Sequence, residues 1–211
     1  MQTIIKRLEE TIFTYQDIVD LIHLSFNERL EQGLKFTCSF ITAEQYQEKM
    51  RGGIVLVAID PSSGALLGTA ATRIRHNAKG QKYGYNEYLA IHPSAKRHGI
   101  GSMLLRKRLE LLKEAGVSYV LSHTADRARS SVAYHKKNGF YPVALFSFED
   151  TNYYSILFRL QISDNSIIEK AYKSRFLCWL RYSYSYVLTK STKKRDGSPT
   201  IFGGLFKKII K

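Results

Sequence analysis

Between Leu89 and Leu105 the chain reads Leu-Ala-Ile-His-Pro-Ser-Ala-Lys-Arg-His-Gly-Ile-Gly-Ser-Met-Leu-Leu, a strand pattern that enters a glycine-bearing turn and leaves it as a helix. No other stretch constrains the fold as much, because a strand feeding a helix through a short turn is a unit of α/β architecture. The start of a helix carries backbone N–H groups without intrahelical partners and the positive end of the helix dipole, which suits a pyrophosphate. Gly99 and Gly101 remove side chains where a phosphate must approach the backbone closely. Lys96, Arg97 and His98 add positive charge or hydrogen-bonding capacity beside them. Two common nucleotide-binding patterns fail here. The dinucleotide fingerprint needs a third glycine where Leu104 stands, and an acidic residue about twenty positions on. The P-loop needs Gly-Lys-Ser/Thr, which is absent.

The flanking sequence alternates between helical and strand periods. Ile18, Leu21, Ile22 and Phe26 predict a helix from Tyr15 to about Phe26. Thr42-Ala-Glu-Gln45 is a capping-box pattern that opens a second short helix to Met50. Gly53–Ile59 reads as a buried strand, Asp60-Pro-Ser-Ser-Gly64 as a turn, and Leu66–Arg75 as the hairpin partner. Tyr83–Ile91 is a further strand. A helix over Gly101–Ala115 is expected to bury Leu105, Leu109 and Leu112, with Gly116 ending it. Val117–Ser122 reads as a strand, and Ser130–Asn138 as a helix stopped by Gly139. Phe140–Phe148 and Tyr153–Leu160 close the pattern as a hairpin. There are no internal repeats, and the sum is an α/β domain around a mixed sheet.

Composition narrows the setting. With 211 residues, 44% of them hydrophobic, the chain can bury one substantial core and a small appendage. The two cysteines, Cys38 and Cys178, form no metal-ligand spacing, and a reduced, intracellular chain is the simple expectation. His23, His76, His92 and His123 show no such spacing either, so no metal is expected. The N-terminus is charged early, without an apolar run of signal-peptide length, and no stretch is long and apolar enough to span a bilayer. The expected location is the cytoplasm, with peripheral membrane attachment through the tail.

The glycine turn resembles motif A of the GCN5-related N-acetyltransferase (GNAT) family, Gln/Arg-x-x-Gly-x-Gly/Ala after a strand ending in an aliphatic residue, x and Pro. Lys96-Arg-His-Gly99-Ile-Gly101 fits, with Lys96 in place of Gln or Arg. A second segment in register, Ser131-Val-Ala-Tyr-His-Lys-Lys-Asn-Gly139-Phe140, resembles the family's motif B helix and its Gly-Phe stop. The resemblance covers residues 3–162 and leaves 163–211 as a C-terminal extension. It implies the GNAT fold, a mixed and mostly antiparallel sheet flanked by helices, which splays at the strand ending in Ile91. It also implies acetyl-CoA as acyl donor. Backbone groups of Leu89 and Ile91 are then expected on the pantetheine, and amides from His98 through Gly99, Ile100 and Gly101 to Ser102 on the pyrophosphate. Lys96 and Arg97 lie beside them. Ser130 or Ser131, and Lys137, are the expected coenzyme contacts on the second helix, where Ala128 replaces the family's asparagine.

The implied reaction is direct attack of an amine on the thioester, which needs a proton acceptor, oxyanion stabilisation and a proton donor for the leaving thiolate. Glu87, expected to share a face with Tyr85, Leu89 and Ile91, is the candidate base. The alternatives are that it orients a cationic substrate or pairs with a nearby arginine. His135 stands where many relatives have a tyrosine acting as general acid, and Tyr134 occupies a position that is usually apolar and buried. Tyr85 and ordered water are the next candidates. The expected acceptor is the primary amine of a small molecule, an amino sugar first. A protein or peptide amine and a non-catalytic acyl-CoA-binding, membrane-docking module are the alternatives.

The extension holds eleven of the 32 Lys/Arg but three of the 18 Asp/Glu, +8 of the net +14. Ser166 to about Leu188 would place Ile168, Tyr172, Phe176, Trp179, Leu180 and Val187 on one helical face, with Lys170, Lys173 and Arg181 elsewhere. A basic amphipathic helix with Trp and Phe suits an anionic membrane surface. The competing readings are an added layer on the domain, a homodimer contact, or a strand at Tyr182-Ser-Tyr-Ser-Tyr186. Nucleic acid is set aside because the aromatics form no nucleic-acid module.

Overall fold

Ile4-Ile-Lys-Arg7 is too short to show a period, yet it forms the first strand, β1 (Ile4–Arg7), along the edge of an apolar neighbour. The computed structural model describes residues 2–162, 174–201 and 203. After β1, Thr14 caps α1 (Tyr15–Glu31): its hydroxyl accepts the Asp17 N–H while the Asp17 carboxylate accepts the Thr14 N–H. The helix runs five residues past the expected end and buries Ile18, Val19, Leu21, Ile22 and Phe26. Thr42 and Gln45 make the capping box of α2 (Ala43–Met50), which buries Tyr46 and Met50.

β2 (Ile54–Ile59) is buried along all but its last residue, as a continuous apolar run requires. Asp60 accepts the Ser62 N–H at 3.0 Å and Gly64 adopts φ +73°, which turns the chain into β3 (Leu66–His76). β4 (Lys82–Ile91) returns antiparallel to β3. In α3 (Ile100–Glu114) the buried stripe is Ile100, Leu104, Arg108 and Leu112 with Leu105, so the expected place of Leu109 is wrong and that residue is half-buried. Steps of four from Ile100 set the stripe.

The strand expected at Val117 starts later, as β5 (Tyr119–Ala125), because the Val117 N–H closes the end of α3 on the Leu112 carbonyl at 2.9 Å. Then come α4 (Arg129–Lys137), β6 (Tyr141–Ser147), β7 (Tyr154–Gln161) and α5 (Arg175–Thr192). The strand order is β1-β2-β3-β4-β5-β7-β6, a mostly antiparallel seven-stranded sheet. The expected face residues Ile168 and Tyr172 lie outside the described residues.

Two compact units divide the chain, one up to Val120 with Gln161 and Ile162, the other Leu121–Leu160 with the described C-terminal residues. In the first, Gly84 lets α3 approach β4: a Cβ there would lie 2.7 Å from Val120 Cγ1 and 3.0 Å from Leu112 Cδ1. In the second, the hydroxyls of Ser185 and Thr189 on α5 bond the backbone of Leu145 in β6. The Gly84→Ala chain is expected to lose about 1–3 kcal/mol of stability from overpacking. Urea denaturation measures it, and an unchanged midpoint would mean α3 can withdraw freely.

Candidate active site

α3 begins without a side-chain cap and with no acidic residue in its first turn. Its N-cap, Gly99, sits at φ +79° and ψ 0°, in the left-handed region that suits glycine. Arg97, two residues earlier, holds φ +68° without that freedom. Backbone strain of this kind, roughly 1–3 kcal/mol, is kept where a turn must present its groups in one direction. The Gly99 carbonyl accepts the N–H of Ser102 at 2.9 Å and of Met103 at 3.1 Å. The N–H groups of Arg97, His98, Gly99 and Ile100 meet no acceptor among the described residues. A Cβ built on Gly99 would touch nothing within 4 Å, so the space beside the turn is open. Gly101 has no left-handed φ. Its backbone conformation therefore does not call for a glycine. Open amides, an uncapped helix start and the absence of acid fit a pyrophosphate. Arg97 and His98 lie exposed on the turn, whereas Lys96 is paired with Glu28 of α1 at 2.8 Å. That ammonium holds the Glu28 carboxyl below its ordinary pKa.

The end of β4 carries one residue more than its partner. Ala71 pairs with Glu87 and Thr69 with Ala90, so Ala70 faces both Tyr88 and Leu89. Tyr88 takes up the bulge with φ +51°. A bulge interrupts the alternation of side chains, and the expected shared face of Tyr85, Glu87, Leu89 and Ile91 is corrected accordingly. Tyr85 and Glu87 stay together, while Ile91 Cδ1 lies over Gly68 beside Ile100. The Ile91 N–H donates to Ser25 Oγ at 3.3 Å, and Leu89 is half-buried.

Glu87 and Tyr88 both meet Lys49 of α2. The Lys49 ammonium stands 3.3 Å from Glu87 Oε1 and 5.0 Å from the centre of the Tyr88 ring. Arg73 grips the same carboxylate with two bonds, Nε to Oε2 at 2.5 Å and Nη2 to Oε1 at 2.9 Å. The Glu87 side chain is only 9% exposed, so both cations act on it with little screening. Burial pulls the Lys49 ammonium down, but Tyr88 and Glu87 outweigh it and its pKa lies above the ordinary lysine value. Burial, with the Glu87 charge, pushes the Tyr85 hydroxyl up to about 12. Tyr85 can thus donate a hydrogen bond near neutrality but cannot take up a proton there.

In the second unit His135 lies on α4 and is buried, whereas Tyr134 beside it is half-exposed, the reverse of the expected pattern. His135 Nδ1 is 2.7 Å from the Ser131 carbonyl, which can only accept, so Nδ1 carries a proton. Nε2 lies 2.9 Å from Ser122 Oγ, and the ring stacks on Phe158 at 4.6 Å. Ser131 is half-exposed, and Lys137 is exposed in the last turn of the same helix. Among the described residues no group of His, Cys, Asp and Glu could hold a metal ion.

Residues 15–140, more than half of the chain, match the Acetyltransferase (GNAT) family. The chain belongs to that family. No curated protein matches it in sequence. Among solved structures, a phosphinothricin acetyltransferase from Sinorhizobium meliloti in complex with AcCoA is similar at 16% identity and a TM-score of 0.62, over 80% of this chain and 93% of that one. The NatC complex bound to Gag peptide and CoA is similar at 15% identity and a TM-score of 0.62, over 77% and 100%. Arabidopsis thaliana NAA60 in complex with a bisubstrate analogue gives 15% and 0.57, over 78% and 100%. These likenesses show the fold.

For this GNAT acetyltransferase, the alternative that Glu87 pairs with a nearby arginine is met by Arg73, whose position was not named, while Lys49 and Tyr88 were missed. Arg73 had a signal, since it lies two residues from Ala71, the cross-strand partner of Glu87, on the same face. Lys49 had none, because only tertiary packing brings α2 to β4. If the Glu87 cluster acts as a unit, a double-mutant cycle of Glu87→Gln and Arg73→Met should show a coupling energy of about 0.5–3 kcal/mol. Additive losses in urea denaturation would show that the pair is energetically idle.

Proposed function

We propose that this chain transfers the acetyl group of acetyl-CoA to the primary amine of a small molecule, with an amino sugar as the first candidate. One observation carries the donor half: consecutive backbone N–H groups without acceptors at the uncapped start of α3. They supply a diphosphate with hydrogen bonds that no side chain contests. In the reaction the amine nitrogen forms a bond to the thioester carbon, the carbon–sulfur bond breaks, the amine loses a proton and the thiolate gains one.

Glu87 is the acceptor of the amine proton in this reading, directly or through a water. Arg73 and Lys49 hold its carboxylate in a fixed position before the amine arrives. The same two cations favour a second reading, in which Glu87 anchors them and they orient the acceptor. The family's proton donor to the thiolate falls on His135, whose Nε2 carries a proton only in the imidazolium form while the Ser131 carbonyl holds Nδ1–H. The connection between α1 and α2 is fastened down by His23 on the Ile41 carbonyl at 3.1 Å and by Phe36 against Phe26 at 5.3 Å, with Arg29 over both rings.

Thiol release measured with a panel of amino sugars, other small amines and peptides tests the acceptor. Turnover on small amines is expected, and turnover on peptides alone would reverse the reading. Gly101→Val should weaken acetyl-CoA binding by about tenfold or more, roughly 1.4 kcal/mol, with the fold intact by circular dichroism. Unchanged affinity by calorimetry would remove the α3 turn from the site. Glu87→Gln should lower turnover by about a hundredfold, most severely at low pH where the neutral amine is scarce. A uniform loss across pH would instead favour the anchoring role.

A further inference from the structure

The amphipathicity of α5 is inverted. Cys178, Tyr182, Ser185 and Thr189, spaced by four, three and four residues, form the side turned to β6. There Ser185 Oγ accepts the Leu145 N–H at 2.5 Å, and Thr189 Oγ1 donates to the Leu145 carbonyl at 2.7 Å. Phe176, Leu180, Tyr184 and Val187, spaced by four, four and three, face away from it, with Trp179 beside them. Phe176 is 64% exposed, Trp179 56% and Val187 66%. A contiguous apolar face of this size on a helix is the mark of an interaction surface.

Charge selects the occupant. From Ser174 to Arg195 the chain carries six Lys or Arg and no Asp or Glu. Arg175, Arg181 and Lys190 lie on α5 itself, and Lys193 and Lys194 follow it directly. Two copies meeting through this face would bring like charges together, and of these cations Arg195 is already answered by Asp126 at 3.4 Å. No described helix is long and apolar enough to cross a membrane. An interface that is apolar in its depth and anionic at its rim satisfies both parts of the face at once.

We propose that the outward face of α5 docks on an anionic lipid bilayer. Phe176, Trp179, Leu180 and Val187 enter the boundary between headgroups and acyl chains. Arg175, Arg181 and the lysines at the end of the helix stay at the level of the anionic headgroups.

Trp179 is the sole tryptophan of the chain, so intrinsic fluorescence reports on this face alone. The full-length protein is mixed with vesicles of equimolar phosphatidylglycerol and phosphatidylcholine, or of phosphatidylcholine alone. A blue shift and co-sedimentation with the anionic vesicles are expected, and neither with the neutral ones. Raising salt should release the protein, as the screening length falls from about 8 Å at physiological ionic strength to about 3 Å at 1 M. The double variant Leu180→Glu, Val187→Glu should weaken vesicle binding by about tenfold or more, with acetyl-CoA binding unchanged. No shift and no co-sedimentation with anionic vesicles would overturn the proposal. Equal attachment to neutral vesicles would overturn it too. So would a concentration-dependent blue shift without lipid, which would mean pairing of two copies, or a Trp179 already shielded in the lipid-free monomer.

Discussion

One extra residue in β4 governs the arrangement of the first unit. Had β4 kept strict alternation, Glu87, Leu89 and Ile91 would project together and Tyr88 would lie on the other side. The residue inserted opposite Ala70 places Glu87 and Tyr88, neighbours in sequence, against the same Lys49. It also turns Ile91 toward Gly68 and Ile100, where it packs beneath the start of α3. The carboxylate cluster and the placing of the α3 turn therefore follow from one local departure from the pleat. The positive φ of Tyr88 is its cost, and the contact of its ring with Tyr46 at 4.9 Å helps to hold it there.

Local rules made most of the elements legible. The capping box at Thr42, the Asp60–Gly64 turn and the glycines at 99, 116 and 139 mark boundaries through bonds or backbone angles confined to a few residues. The glycine turn was legible for the same reason, since free amides at a helix start depend on nothing distant. What escaped depends on contacts between elements. β1 exists because β2 offers an edge, the buried stripe of α3 includes Arg108, and the face of β4 changes at a bulge that no residue type announces. His135 was placed in the motif by its distance from Phe140, but its burial among Phe158, Phe140 and Ser122 is tertiary.

Sequence periodicity picked out an apolar face on the C-terminal helix, with Phe176, Trp179, Leu180 and Val187, but gave its direction no sign. The hydroxyls decide the direction. A backbone pair that needs both a donor and an acceptor is met better by serine and threonine than by leucine, so the polar stripe turns inward and the apolar stripe is left outside.

Those same hydroxyls touch the outermost strand of the sheet, since β6 ends the strand order. An unpaired outer strand is a template on which another extended chain can add, the first step of ordered aggregation. By occupying the N–H and C=O of Leu145, Ser185 and Thr189 turn a helix into a guard rail for that border. The sheet thereby resists growth at its β6 border, one of its two edges, without an inward lysine in that strand.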